Sequence, residues 1–120
     1  MEYEIEFYET EKGRSPVNDF LNKLQDKQKA KVLQDIEQLR LVGSDLHFPR
    51  IDFVKGDKYK GLMELRTKYS TDIFRIFYFM IVNNKAVLLH AFQKKTQKTP
   101  SKELDTALAR MKDYRTRRSE

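Results

Sequence analysis

Residues 61–92, GLMELRTKYSTDIFRIFYFMIVNNKAVLLHAF, decide how this chain folds. Three strand-forming stretches follow one another with only short polar turns between them. GLMELRTKY alternates from Gly61, setting Leu62, Glu64 and Arg66 on one face and Met63 and Leu65 on the other. DIFRIFYFMIV is apolar apart from Arg75 and the Tyr78 hydroxyl, the pattern of a central strand covered on both sides. NNK at 83–85 puts asparagine where a hairpin turn needs positive φ, and AVLLHAF is the next strand. Strands joined this closely form an antiparallel meander.

Working outward, EYEIEFYE near the N-terminus alternates Glu2, Glu4 and Glu6 with Tyr3, Ile5 and Phe7. That is a half-buried strand with acid toward solvent, and it must join the same sheet or remain a marginal edge. RSPVNDFLNKL opens a helix, with Ser15 as N-cap and Pro16 where a missing N–H costs nothing; Val17, Phe20, Leu21 and Leu24 supply its apolar side. Asp26 is placed to cap a second helix through about Val42, and Gly43 to end it. Ser44 to Lys60, with Pro49 and Gly56, reads as a loop whose Lys55, Lys58 and Lys60 are candidate contacts. Beyond the meander, Thr99 and Pro100 repeat the cap-and-proline signal before a last helix carrying Leu104, Ala107, Leu108 and Met111. The order β-α-α-β-β-β-α predicts an α+β domain. Its mostly antiparallel sheet has the N-terminal strand plus the meander, two N-terminal helices on one face, and a C-terminal helix. Residues 1–115 form the single domain, and 116–120 end a charged tail, RTRRSE, that carries no structural signal.

The chain of 120 residues has a net charge of +6 and no cysteine, which excludes disulfides and thiolate metal sites. Its two histidines, His47 and His90, are far apart in sequence, so no metal or other cofactor is expected. The N-terminus lacks the basic region and apolar stretch of a secretory leader, and the longest apolar run is too short to cross a bilayer. A cytoplasmic protein without membrane contact is the expectation. Charge is segregated: residues 2–11 carry only glutamates, whereas Lys94 to Arg118 is mostly basic. A basic domain of this kind is a candidate for polyanion binding.

Arg75 is the most informative residue. An unpaired guanidinium in an apolar strand costs several kcal/mol, so Arg75 must pair with Glu64 or Asp72, or face an anion. Arg66 belongs on the neighbouring strand, reachable through the TKYSTD turn. Two guanidiniums on one face make sense when a phosphate lies between them, unless Glu64 neutralises one and solvent the other. Lys94 and Lys95 leave the next strand, and Lys98 and Lys102 lead to a helix N-terminus that itself favours anions. Tyr59, Tyr69 and Tyr78 can stack bases, although core positions suit most of them; Tyr69, beside the turn, is the one kept as a candidate. His90 reads as a structural histidine. Glu64 is the only carboxylate placed to act beside the arginines, as base or as their orienting partner.

The ordered blocks GLMELR, FRIFYFMI, LLHAFQKKTQKTP and ALARMKDY resemble the phage-derived, HigB-like branch of the RelE/ParE toxin superfamily, over nearly the whole chain. The resemblance implies a compact domain with helices on one face of a mostly antiparallel sheet. It also implies the toxin of a type II toxin–antitoxin pair: a metal-independent endoribonuclease that cuts messenger RNA, often in the ribosomal A site, by 2′-hydroxyl attack. The implied partners are messenger RNA, the ribosome and a helix-turn-helix, HigA-like antitoxin in a hetero-oligomer. Arg75 and Arg66 match basic positions on the family's catalytic face, and Lys95, with Lys94 beside it, matches the basic residue closing the penultimate element. The chain departs from several relatives in carrying TQKTP where they place a tyrosine or histidine, which leaves the general acid and base open. Two other functions stay in play: a ParE-like toxin that acts by protein contact, and a non-catalytic RNA-binding module.

Overall fold

The structure is a computed structural model describing residues 2–47, 50–82, 84–95 and 98–118. Pro49, Asn83, Thr96, Gln97 and the last two residues of the tail, on which parts of the loop, turn and tail readings fall, lie outside these. The elements are β1 (Glu4–Phe7), α1 (Pro16–Asn22), α2 (Asp26–Val42), β2 (Ile51–Phe53), β3 (Met63–Tyr69), β4 (Asp72–Ile81), β5 (Lys85–Lys94) and α3 (Ser101–Arg118). The α+β class and the order of the long elements are as expected.

Five strands form one sheet in the order β1-β5-β4-β3-β2. The meander is antiparallel, while β1 runs parallel to β5, so the sheet is mixed. A two-residue loop, Ser70 and Thr71, joins β3 to β4, with Tyr69 paired to Asp72 and Ser70 at φ 56°. That tight loop fixes the register on which the site depends: Arg66 lies directly opposite Arg75. Asn84 takes φ 62°, the conformation expected of the second hairpin.

Strand alternation divides β4 between two cores. Phe74, Ile76 and Tyr78 pack with Val17 and Leu21 of α1 and Val32, Ile36 and Leu39 of α2. Phe77 and Phe79 face the other way, against Ala107, Leu108, Met111 and Tyr114 of α3. Helices therefore cover both faces, with α1 and α2 together on one as expected and α3 on the other, where the resemblance implied helices on one face. A strand buried on both sides has few positions for charge, and β4 carries its one guanidinium toward α3.

Local signals explain the ends. Ser15 caps α1, its hydroxyl accepting the Asn18 N–H at 3.3 Å. Asp26 is the first residue of α2 and not its cap; Gln25 precedes it, its N–H donating to Gln28 Oε1 at 3.1 Å. Helix α3 continues to Arg118, through most of the charged tail, because Arg117 and Arg118 are tied down: Arg117 pairs with Asp113 and Arg118 with Glu6. No helix among the described residues is long and apolar enough to cross a membrane.

Candidate functional site

The cationic site grows from the β3–β4 register. Glu64 and Arg66 share a face of β3, and Arg75 stands opposite Arg66 on β4. Glu64 lies between the guanidiniums and engages each through a different oxygen. Arg75 Nη1 donates to Glu64 Oε1 at 2.7 Å, and Arg66 Nε donates to Glu64 Oε2 at 2.9 Å. Asp72, the other partner considered for Arg75, instead accepts from Gln28 and Gln93. One carboxylate thus holds two arginines, one on each oxygen.

Burial makes this triad strongly coupled. The Arg75 side chain is 10% exposed and that of Glu64 8%, so their attraction acts with little water between them. Arg66, at the margin, also reaches Asp52 on the edge strand, Nη2 to Oδ2 3.5 Å. The polar inventory is incomplete at one atom: Arg75 Nε is buried and finds no hydrogen-bond partner among the described residues. A buried, unsatisfied donor on a cation is an invitation to an anion.

Around the arginines opens a cavity of about 460 Å³, bordered by Asp52 and Lys55, by Phe77, and by Lys98, Thr99 and Leu104 leading into α3. Lys94 ends β5 on the arginine side. Burial, followed by the positive charge of Arg75 and then of Arg66, holds its ammonium below the ordinary lysine range, with Glu64 opposing. Among the described residues no group of three or more His, Asp or Glu side chains is placed to hold a metal ion.

The sequence-derived candidates separate on this geometry. Glu64, Arg66 and Arg75 converge on the cavity and Lys98 borders it, while Lys94 does not line it but lies within reach of the arginines' charge. Lys95 and Lys102 are exposed and do not line it. Tyr69 sits on the opposite face of the sheet, packed against the α1–α2 core, so it does not join the site. Lys58 is engaged elsewhere, paired with Asp105 at 3.0 Å. Asp52 is the site residue that sequence reasoning missed, because β2 is three residues long and the alternation Ile51, Asp52, Phe53 is its only signal; Lys55, a candidate contact from the sequence, borders the cavity just beyond it.

His90 is a structural residue, as read from the sequence. Its Nδ1 meets Arg110 Nη1 at 2.9 Å, so Nδ1 accepts and Nε2–H faces Glu103 Oε1 at 3.0 Å. Burial, reinforced by Arg110, lowers its pKa, with Glu103 pulling the other way.

Residues 19–112 match the family described as phage-derived protein Gp49-like (DUF891). The chain belongs to that family. Gp49-like proteins are associated with RelE-type and toxin-like proteins, so this is a toxin-like, phage-derived protein, consistent in general with a toxin–antitoxin partnership. No curated protein matches the chain. The matched region spans the Arg66–Glu64–Arg75 triad and Lys94 alike, so the site is built from the Gp49-like core.

Proposed function

We propose that this Gp49-like protein is the toxin of a type II toxin–antitoxin system, of the HigB-like branch. In this reading it is an endoribonuclease that cleaves messenger RNA on the ribosome without a metal. One observation carries the reading: two directly opposed arginines bridged by a buried carboxylate, with an unsatisfied buried donor on Arg75.

The chemistry follows from charge. The ribose 2′-oxygen loses its proton and attacks the adjacent phosphorus; the bond from phosphorus to the 5′-oxygen breaks, and that oxygen gains a proton. The products are a 2′,3′-cyclic phosphate and a 5′-hydroxyl. Negative charge gathers on the non-bridging oxygens in the transition state. Arg75 and Arg66, preorganised by Glu64, are positioned donors for that charge, and one such donor is worth about 3 kcal/mol of barrier. Lys94, its proton loosened by burial and by both arginines, exchanges protons with the reacting oxygens. Glu64 acts as the orienting partner, holding one arginine on each of its oxygens. An antitoxin, of the helix-turn-helix type that the branch implies, would silence the site by covering the basic face.

The test is expression in cells, comparing the wild type with Arg75→Ala while following growth and mapping the 5′ ends of messenger RNA. The expected result is arrest with new cleavage ends for the wild type, and neither for a folded Arg75→Ala protein. Arrest by both proteins with intact messages would instead favour a toxin that acts by protein contact.

A further inference from the structure

A second cavity, of about 470 Å³, meets the first at the arginine pair: Arg66 and Arg75 border both. Its other walls are Lys31 and Asp35 of α2, Arg50, and Thr67, Lys68 and Ile73 of the β3–β4 hairpin. Lys31 and Asp35 satisfy each other at 2.9 Å. Arg50 and Lys68 are exposed and form no ion pair among the described residues.

Among the described residues the sheet edge is open here. Strand β2 covers β3 only from Met63 to Leu65, and Arg50 closes the ladder by accepting the Arg66 N–H at 2.7 Å. Main-chain groups alternate along a strand. The Arg66 N–H and the Leu62 carbonyl point toward β2, so alternation turns those of Lys68 the same way, into the space where β2 has ended. Two cationic side chains and an outward N–H thus meet beside a cavity that continues the site. Strand spacing puts this opening one strand, about 5 Å, beyond Arg66 on β3, and two strands beyond Arg75 on β4, so that it continues outward from the arginine pair.

We infer that this cavity is a second phosphate subsite, which takes the phosphodiester of the nucleotide next to the one held at Arg66 and Arg75. The inference rests on the RNA reading of the first site and deepens it, giving single-stranded RNA a path over the open half of the β3 edge. Arg50 and Lys68 bind this phosphate, and Asp35 holds Lys31 at its margin.

The experiment is equilibrium binding of RNA made uncleavable by 2′-O-methyl groups, as a dinucleotide with one phosphodiester and as a hexanucleotide. It compares wild type, an Arg50→Gln/Lys68→Gln double variant, Arg75→Ala, and a Lys23→Gln/Lys112→Gln control that removes equal charge outside both cavities. The expected result is that the double variant loses about tenfold in affinity for the hexanucleotide, with a shallower salt dependence, and is unchanged toward the dinucleotide. The control should keep most of the hexanucleotide affinity. Hexanucleotide binding that depends on Arg75 but is the same in the double variant and the wild type would overturn the second subsite alone. An equal loss in the control and the double variant would overturn it too, since only net charge would then be at work. Failure of the wild type to bind either oligonucleotide, or binding of both that Arg75→Ala leaves unchanged, would overturn the RNA reading and this inference together.

Discussion

At the scale of single residues, the site is one carboxylate deciding the state of two guanidiniums. Glu64 is slightly more buried than Arg75, and removing one partner of a buried pair leaves an uncompensated charge that costs about 3 kcal/mol or more. Glu64→Ala should therefore lower unfolding stability by about 3 kcal/mol in denaturant titrations. A cost below about 1 kcal/mol, the range of a surface pair, would mean that Glu64 does not hold the arginines in solution. Lys94→Arg separates charge from proton transfer. It keeps a cation facing the substrate but cannot deprotonate, so RNA affinity should hold while single-turnover cleavage falls roughly 10²-fold. Undiminished cleavage would remove Lys94 from the proton path. Arg75 and Glu64 were legible in the sequence because a charge amid Phe74 and Ile76 has to be answered by something nearby. Which carboxylate answers it was not legible, since Glu64 and Asp72 differ only through the register that the Ser70–Thr71 loop sets.

At the scale of elements, β5 and α3 are joined by a polar clasp within an aromatic layer. A bulge leaves Leu89 as an extra residue between the partners of Phe77 and Tyr78. Its carbonyl accepts from Arg110 at 3.1 Å, and His90 is turned to the same helix. The His90 ring stacks near Phe77 and Phe92 while meeting Glu103 and Arg110. Because its pKa is lowered on folding, the unfolded chain binds more protons in the window just below the ordinary histidine value. The stability that depends on neutral His90 is complete above about pH 6.5 and is lost as pH falls below it. Between about pH 7 and pH 5, the wild type should lose more stability than His90→Gln, measured by denaturant midpoints. Equal losses would show that the imidazole does not titrate across the clasp. Long elements with a full turn or several alternations were readable from the sequence. Strand β2 was not, because three residues give one alternation, and the parallel pairing of β1 was not, because alternation says which face is buried and nothing of the neighbour.

At the scale of the whole molecule, charge is sorted by the sheet order. The glutamates of β1, and Glu2 before it, lie at one edge, answered by Lys85 and Arg118 and by Arg40 respectively. Toward the opposite edge, Arg50, Arg66, Lys68 and Arg75 gather around the two cavities, with Lys55 and Lys98 on one of them. The separation noticed along the sequence thus persists in space only in part, since Arg118 of the basic C-terminal helix pairs with Glu6 of the acidic strand. The remaining basic face is built from strand ends and the entry to α3, and it is where a polyanion gains most from electrostatic attraction.

The most direct test of the central claim is the chemistry of the cut ends. Purified protein should be incubated with ribosomes holding a defined message, and the fragments analysed for their termini. The account predicts 2′,3′-cyclic phosphate and 5′-hydroxyl ends, absent with Arg75→Ala and absent when the attacking 2′-hydroxyl is replaced by hydrogen. An intact message with active wild-type protein, or fragments ending in 3′-hydroxyl and 5′-phosphate, would contradict it.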